Sequence, residues 1–257
     1  MTGPQEKYVR RSRQGSIAIV ALNRPEKRNA LSQRLFVDLE DAFDSLEGDI
    51  RAVVLHGLGD HFCAGLDLSE HQNNEPFSAL LQSRKGHRIF DKIRNCDRPV
   101  ISVLHGAVIG GGLELACSTH IRVADATAFF QLPEGRRGIF LGGGGSVSVA
   151  RVMGTDRLIE MMLTGRRIDA ELAERLGLSH YLVASGDAFR LAMEIAENVS
   201  HNAPISNYMM LNALSHIGGM SPEAGLFAES LAQAVTLTND DAKNGIQAFL
   251  DRKKIKF

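Results

Sequence analysis

The chain of 257 residues has few cysteines and almost no net charge. Its three cysteines, Cys63, Cys96 and Cys117, show neither C-x-x-C nor Cys/His spacing. The sequence therefore predicts reduced, mostly buried thiols rather than a disulfide framework or a zinc site. The formal charge is −1, and residues of both signs are interspersed. This balance argues against a nucleic-acid-binding surface and against a basic patch that would attract a membrane.

The chain also lacks a long apolar segment. Residues Met1–Arg13 are polar and basic and contain no apolar stretch of the kind found in signal peptides. No uninterrupted apolar run reaches the roughly 18 residues that a membrane-spanning helix needs. We therefore expect a soluble, cytoplasmic protein that neither binds nor crosses a membrane.

Several common catalytic or nucleotide-binding motifs are missing or incomplete. No lysine follows the glycines as a P-loop requires, and no H-E-x-x-H sequence occurs. Gly144–Ser148 fails the G-x-S-x-G pattern at its last position. The triplet Gly110–Gly112 lies in mid-chain and does not meet G-x-G-x-x-G spacing. The sequence thus favours neither an NTPase, a zinc protease, a serine hydrolase nor a dinucleotide-binding enzyme.

Strand and helix patterns alternate along most of the chain and then give way to helices alone. Apolar runs predict strands at Ser16–Leu22, Ala52–His56, Val100 up to the glycine triplet, Ile121–Ala124 and Tyr181–Val183, and a strand that runs into a turn over Phe129–Gly135. Helical spacing is seen over Leu31–Leu46, Phe77–Asn95, Val147–Met153, Asp156–Leu163, Asp169–Leu176, Asp187–Asn198, Ile205–Ile217, Pro222–Thr236 and Asp240–Lys254. The sequence predicts an α/β body over residues 1–203 and a helical region over residues 204–257, with no long linker between them.

The stretch Val100–Ala116 is the one around which we expect the rest to be arranged. Glycines stand there between a buried strand and a helix, so a ligand can approach the backbone closely. The first N–H groups of a helix have no intrahelical partner and can point at a negative oxygen. Glu114 follows on the first helical turn. An oxyanion site is one interpretation of this segment, and a plain tight turn is the alternative.

Two further loops have comparable composition. Gly57–Leu68 also follows a buried strand and contains three glycines. Asn23–Asn29 is a turn with three cations, which suits either a polyanion site or an ordinary solvated turn. Two carboxylates, Glu114 and Glu134, are placed after adjacent strands, and two glycine-containing loops can each supply a backbone N–H. These are parts suited to stabilising an enolate.

These residues resemble the enoyl-CoA hydratase (crotonase) superfamily over nearly the whole chain. The segments that carry the resemblance are Asn23–Pro25, Asn29–Leu31, Phe62–Leu68, Gly106–Glu114, Pro133–Glu134, Leu163–Gly165 and Gly245–Phe249. The resemblance implies a spiral of ββα units with a C-terminal helical layer, assembled as homotrimers that usually pair into hexamers. It also implies an acyl-CoA substrate and no separate cofactor, since coenzyme A is part of the substrate.

Site residues follow from the same resemblance. The oxyanion donors would be the backbone N–H groups of Leu66 and Gly111. The parts of coenzyme A would be held by Lys27, Arg28, Asn29, Ala30, Leu31, Ala64, Asp67 and Leu68. Glutamates at both positions favour hydration, with Glu114 activating water and Glu134 exchanging the α-proton. No metal is implied.

The chain departs from the family in the glycine-rich segment Leu141–Val149. Leu141 stands where the family usually has proline, and Ser148 where it has arginine. The catalytic pair is intact, but the acyl specificity is left open. Bulky residues near Glu134 predict a short or compact acyl group, namely Phe129, Phe130, Ile139, Phe140 and Leu141.

Other functions share this apparatus. An isomerase, a retro-aldol lyase or a thioester hydrolase of the same superfamily would need the same oxyanion site. A non-enzymatic RNA-binding role, known in one branch, would need a lysine-rich helix face, whereas residues 31–48 are largely acidic on the outer face.

Overall fold

The computed structural model describes residues 7–71 and 75–257. The predicted α/β body includes residues 1–6 and 72–74, and the polar N-terminal segment Met1–Arg13 begins with residues 1–6. These positions lie outside the described residues.

Nine strands form two sheets among the described residues. The strands are β1 (Val9–Gln14), β2 (Ile17–Leu22), β3 (Ala52–Gly57), β4 (Val100–Leu104), β5 (Ala107–Ile109), β6 (Ile121–Asp125), β7 (Phe129–Gln131), β8 (Arg167–Asp169) and β9 (Tyr181–Val183). The main sheet has the order β1-β2-β3-β4-β6-β9, and all its pairs are parallel except β1 with β2. The small sheet has the order β5-β7-β8.

Ten α-helices accompany the strands in the described parts of the chain. They are α1 (Gln33–Asp44), α2 (Pro76–Arg94), α3 (Gly111–Ala116), α4 (Gly145–Met153), α5 (Thr155–Thr164), α6 (Ala170–Arg175), α7 (Ala188–Ser200), α8 (Pro204–Ile217), α9 (Pro222–Leu237) and α10 (Asp240–Leu250). Short 3-10 turns cover Pro25–Lys27, Leu68–Glu70 and Glu134–Arg137. None of the helices is long and apolar enough to span a membrane.

The chain distributes successive strands between the two sheets. Strand β4 joins the main sheet and β5 the small one, and β6 and β7 repeat that division before the next helices. This is the spiral of ββα turns that the resemblance implies, and the expected α/β fold class is confirmed.

The single strand predicted from Val100 up to the glycines is wrong in one respect. It is broken at His105-Gly106 into β4 and β5, which belong to different sheets. Gly106 has φ +52°, and a Cβ there would lie 2.0 Å from the carbonyl oxygen of Asp60. The apolar residues on both sides of His105-Gly106 conceal this bend because β4 and β5 are both largely buried.

Helix α1 shows how local sequence starts an element. The Ser32 hydroxyl accepts a hydrogen bond from the backbone N–H of Leu35, as an N-cap does. The apolar face of the helix is buried against the core through Leu35, Leu39, Ala42 and Phe43. The predicted helix is confirmed, with Gln33–Asp44 as its bounds in place of Leu31–Leu46.

The main sheet is covered on both faces. Helix α7 buries Ala188, Ala192 and Ala196 against one face in the cluster that holds Ile101 and Val123. The larger core lies on the other face and contains the inward side of α1, α2 and α3. Because the central strands are buried on both sides, they are continuous apolar runs without alternation. All three cysteines are free and buried, as expected.

The C-terminal helices differ from the rest. Large apolar side chains stay exposed on α8, α9 and α10, among them Leu214, Leu226, Phe227, Leu231, Leu237, Phe249 and Leu250. The chain exposes 13685 Å², whereas a compact monomer of its mass exposes roughly 11,000 Å². The described part of the helical region therefore presents an extensive apolar surface. The predicted boundary between the α/β body and the helical region, at residues 203 and 204, stays a prediction.

Candidate active site

A cavity of about 360 Å³ opens between helix α2, the start of α3 and the turn after β7. It brings together four of the predicted catalytic and oxyanion residues, Glu114, Glu134, Leu66 and Gly111. Three of the predicted coenzyme-binding residues, Leu31, Ala64 and Leu68, also line it. Segments far apart in sequence thus meet at one site.

The three glycines before Glu114 have separate structural reasons. Gly110 has φ +53°, a left-handed conformation that favours glycine, and it begins helix α3 by accepting the N–H of Glu114 at 3.1 Å. A Cβ on Gly112 would lie 2.3 Å from the carbonyl oxygen of Cys63, so only glycine lets the helix pack there. A Cβ on Gly111 would lie 2.9 Å from Leu31 Cδ1, inside the cavity wall.

Two backbone N–H groups converge on the cavity. The Leu31 N–H donates to Gly65 O at 2.8 Å, and the Asp67 N–H donates to Leu31 O at 3.0 Å, so the Leu66 N–H between them points the other way. Gly111 is the first residue of α3 and has no intrahelical acceptor. A Cβ on Gly111 would lie 3.6 Å from the Leu66 nitrogen.

Within residues 7–71 and 75–257, neither of these two N–H groups donates to a protein acceptor. Leu66 is exposed and Gly111 half-buried, so both N–H groups are open to a ligand or water in the cavity. The pair is therefore suited to one oxygen that carries developing negative charge.

Glu114 is buried and held by backbone donors. Its Oε1 accepts from the N–H of Gly143 at 2.9 Å and of Gly145 at 2.7 Å. Burial raises the pKa of Glu114, while these amides and that of Gly142 lower it. The net shift is upward, so desolvation outweighs the hydrogen bonds.

Glu134 is equally buried, but no amide of the glycine-rich turn donates to it within residues 7–71 and 75–257. Its Oε2 has no hydrogen-bond partner among the described residues. Burial raises the pKa of Glu134 to about 7, and the charge of Glu114 acts in the same direction. Its own backbone N–H and the guanidinium of Arg137 oppose the shift. A carboxyl group with this pKa changes its protonation state near neutral pH, as a general acid or base must.

The turn predicted to hold coenzyme A lies beside the cavity. Lys27 and Arg28 are exposed, and Arg28 and Asn29 both have positive φ. The Asn29 side chain is buried and donates to Leu58 O at 3.0 Å and His61 O at 2.7 Å. Its amide thus stabilises the turn itself, and Ala30 is half-buried next to it.

Asp67 also has protein partners. Its Oδ2 lies 2.6 Å from Arg24 Nη1, and its Oδ1 accepts from the Ser69 hydroxyl at 2.6 Å. These contacts lower the pKa of Asp67, first through Ser69 and also through Arg24. The structure does not place Lys27, Arg28, Asn29, Ala30 or Asp67 on the cavity wall, and their contact with coenzyme A stays a prediction.

Sequence reasoning missed several cavity residues. Helix α2 contributes Ala79, Gln82, Ser83, Lys85, Gly86 and Phe90, which alternate with exposed residues without a distinctive motif. Ser83 donates its hydroxyl to Gly142 O at 2.8 Å, which ties α2 to the glycine-rich turn. The four consecutive glycines were visible in the sequence, but their hydrogen bonds to Glu114 were not.

The bulky residues around Glu134 divide into two groups. Ile139, Phe140 and Leu141 line the cavity. Phe130 is buried in the core, and Phe129 packs under the guanidinium of Arg167, 3.5 Å from it. Only the first group can limit the acyl group.

The charged and sulfur-containing residues do not suggest a metal centre. Among the residues that the structure describes, no group of three or more His, Cys, Asp or Glu side chains is arranged to hold a metal ion. The chemistry that the cavity can support is proton transfer next to an oxyanion.

Comparisons with known proteins agree with this geometry. A model of the enoyl-CoA hydratase/isomerase family matches residues 12–257. The short-chain-enoyl-CoA hydratase of Clostridium acetobutylicum is 30% identical over 247 residues, which cover 95% of each chain. A probable enoyl-CoA hydratase of Bacillus subtilis is 33% identical, with 94% of this chain and 95% of that protein covered. The crystal structure of a putative enoyl-CoA hydratase from Rhodopseudomonas palustris CGA009 is similar at a TM-score of 0.93, with 48% identity and 95% of each chain covered.

Proposed function

We propose that this chain, which belongs to the enoyl-CoA hydratase/isomerase family, adds water to the α,β double bond of an acyl-CoA thioester. The observation that carries the proposal is the convergence of Glu114 and Glu134 on one cavity with the Leu66 and Gly111 N–H groups. An isomerisation can proceed with one carboxyl group, whereas addition of water is served by two.

The electrostatics support distinct roles for the two carboxyl groups. Backbone donors on Glu114 favour its ionised form, which can take a proton from water. Glu134 has no donor on Oε2 and a pKa of about 7, which favours a protonated group that can deliver its proton. The two groups lie close enough for their titrations to be coupled.

The reaction then follows from these positions. The thioester oxygen accepts from the Leu66 and Gly111 N–H groups, Glu114 removes a proton from water, and the water oxygen bonds to the β-carbon. Electrons of the double bond move onto the thioester oxygen as an enolate. The enolate collapses as Glu134 gives its proton to the α-carbon. Proton exchange with solvent returns Glu114 and Glu134 to their starting states, and no separate cofactor takes part.

A compact acyl group suits the cavity. Ile139, Phe140 and Leu141 take up space next to Glu134, and one relative of this chain is named a short-chain-enoyl-CoA hydratase. Specificity constants should therefore fall, not rise, from four-carbon to long-chain enoyl thioesters.

Product identification tests the proposed reaction. A panel of trans-2-enoyl-CoA thioesters is incubated with the protein, and products are analysed by mass spectrometry. A product heavier by one water, with the thioester intact, supports hydration. A product of unchanged mass with a moved double bond, or free coenzyme A, would replace hydration by isomerisation or hydrolysis. Isomerisation is the second candidate, because Glu134 alone could move the α-proton.

We further infer that the apolar surface of α8–α10 is covered by other copies of the chain, as a homotrimer or a dimer of trimers. The support is the excess exposed area and the concentration of large apolar side chains on these helices. Sedimentation at micromolar concentration should give three or six chains, and a monomer would contradict the inference.

A further inference from the structure

The cavity has cationic residues that the proposed reaction does not use. Arg137 lines it from the turn that carries Glu134, and Lys85 lines it from helix α2. Among the described residues, neither side chain has an ion-pair partner or a hydrogen bond. The neighbouring Arg136, in contrast, donates to Thr164 O, and Arg166 pairs with Glu160 at 2.9 Å.

The acidic residues of the cavity do not balance these cations. Burial raises the pKa of Glu134 to about 7, so this carboxyl group is less anionic at neutral pH than an exposed glutamate. Gln82, on the same helix as Lys85, has its Oε1 buried without a partner. The unpartnered oxygen is an acceptor, so Gln82 would meet a carboxylate through its Nε2–H donors and not through Oε1.

The position of Arg137 assigns it to the acyl group rather than to the nucleotide. It lies in the same short turn as Glu134, and its charge lowers the pKa of that carboxyl. Glu134 reaches the α-carbon in the proposed reaction, so ligand atoms near Arg137 belong to the acyl chain. Ile139 and Phe140 follow Arg137 on the cavity wall.

We propose that Arg137 selects acyl groups that end in a carboxylate, namely monothioesters of short unsaturated dicarboxylic acids, with Lys85 and Gln82 contributing from helix α2. The proposal rests on the proposed function. A guanidinium stays charged at all relevant pH values and binds a carboxylate through two parallel hydrogen bonds. A terminal carboxylate would supply the partner that Arg137 lacks in the described structure.

The test compares two five-carbon trans-2-enoyl thioesters, one ending in a carboxylate and the other in a methyl group. The measured quantity is the ratio of their kcat/KM values. In the unchanged protein this ratio should be about 10 to 100, the range for a hydrogen-bonded charged group. Arg137→Gln should bring the ratio close to one. Arg136→Gln is the matched control, since it removes the adjacent charge outside the cavity and should leave the ratio as it was.

Further measurements separate the possible failures. If neither thioester is hydrated, the proposed function fails; if both are hydrated with a ratio near one in the unchanged protein, only the present inference fails. Inhibition by free coenzyme A is measured in parallel. If Arg137→Gln weakens inhibition by free coenzyme A by the same factor by which it lowers kcat/KM for both thioesters, Arg137 binds the coenzyme. That result would overturn the proposal. In the unchanged protein, added salt should reduce the preference, because salt screens an exposed charge pair.

Discussion

Glu114 and Glu134 are buried to nearly the same extent, at 4% and 5% exposure, yet their surroundings treat a carboxylate differently. The turn at Gly142–Gly145 directs N–H groups at Glu114, whereas Oε2 of Glu134 meets no donor among the described residues. Burial raises both pKa values, and hydrogen bonding decides which group more readily holds a negative charge. The comparison teaches that burial alone does not assign the acid and the base.

The most direct test of the difference between the two glutamates is to replace each carboxyl group in turn by an uncharged amide. Glu114→Gln and Glu134→Gln should each lower kcat for hydration by about 10²–10⁴-fold with modest change in KM, since each removes one proton-transfer group. Glu134→Gln should also stop solvent deuterium exchange at the α-carbon, and Glu114→Gln should spare part of it. Exchange is followed by mass spectrometry of recovered thioester.

The outcome distinguishes the two candidate reactions. If Glu114→Gln still moves the double bond at the normal rate, no hydrated product forms and Glu134→Gln is inactive, the protein is an isomerase rather than a hydratase. Glutamine keeps the size of either side chain. In Glu114→Gln its Oε1 can still accept from the Gly143 and Gly145 amides, so a folding defect is not expected.

Gly111 supplies one of the two N–H groups that would stabilise the enolate in the proposed reaction. Gly111→Pro removes this donor and should lower kcat by about 10²–10³-fold. Proline is tolerated at the first position of a helix, so α3 should form. Gly111→Ala keeps the N–H and separates donor loss from steric intrusion near Leu31. Near-normal kcat in a folded Gly111→Pro protein would contradict the oxyanion assignment.

Two glycines allow each carboxyl group to be disturbed without changing it. A Cβ at Gly145 would lie 2.7 Å from Glu114 Cγ, and a Cβ at Gly110 would lie 2.8 Å from Glu134 Oε1. Gly145→Ala should therefore reduce hydration by roughly 10-fold or more and largely spare α-proton exchange, while Gly110→Ala should reduce both, as each misplaces a proton-transfer group.

The control for Gly110→Ala is Gly138→Ala. Gly138 also has positive φ, at +66°, but nothing lies within 4 Å of its added Cβ. It reports backbone strain alone, which costs about 1–2 kcal/mol. Equal kinetic losses in the two variants would show that strain, and not displacement of Glu134, is responsible.

The pH profile sharpens the comparison further. Hydration needs a protonated Glu134, whose pKa is about 7, so kcat/KM should fall about tenfold per pH unit above that value. Dehydration of the 3-hydroxyacyl product uses the same singly protonated pair with the proton on Glu114, so its kcat/KM should fall over the same range. Arg137 lowers the pKa of Glu134, so Arg137→Gln should shift the decline of kcat/KM for hydration to higher pH. If kcat/KM declines at the same pH in Arg137→Gln and in the unchanged protein, Glu134 is not the titrating group.

The smallest expected effect is on stability. The pKa of Glu134 is higher in the folded chain than in the unfolded one, so the folded state holds the proton more strongly. Stability from this group is present at low pH and is lost as pH rises to about 7. At pH values above 7, Glu134→Gln should therefore raise Tm by a few degrees, and at pH 5 it should raise Tm by less. For a chain of this length, 1 kcal/mol of stability corresponds to about 2–4 °C in Tm. Thermal melts at both pH values measure the difference, and an equal gain at both would point to another cause.

Local signals allowed a large part of the fold to be predicted. Ser32 marks the start of α1, and the glycines ahead of Glu114 mark the start of α3. Strand β1 was missed because only Val9 is buried and the rest of this edge strand is polar and exposed. Strand β8 was missed because it has three residues, of which only Ile168 is buried.

Some boundaries and contacts could not be predicted. The last helix was expected to reach Lys254 but ends at Leu250, since a charged tail has no pattern that separates helix from turn. The cavity face of α2 carries polar residues such as Gln82 and Ser83, which periodicity alone assigns to solvent. Their burial depends on the turn at Gly142, which packs over them.

The sequence by itself determined where the backbone needs glycine, which strands are buried on both sides and which residues could transfer protons. Those properties depend on side-chain size, polarity and local conformation, which each residue carries with it. Only the tertiary structure decided that Leu66, Gly111, Glu114 and Glu134 share one cavity, because strands of two sheets must pair before these loops meet. It also decided which carboxylate receives the amides of the glycine-rich turn. A pKa is set by burial and by neighbours, and distant segments supply both.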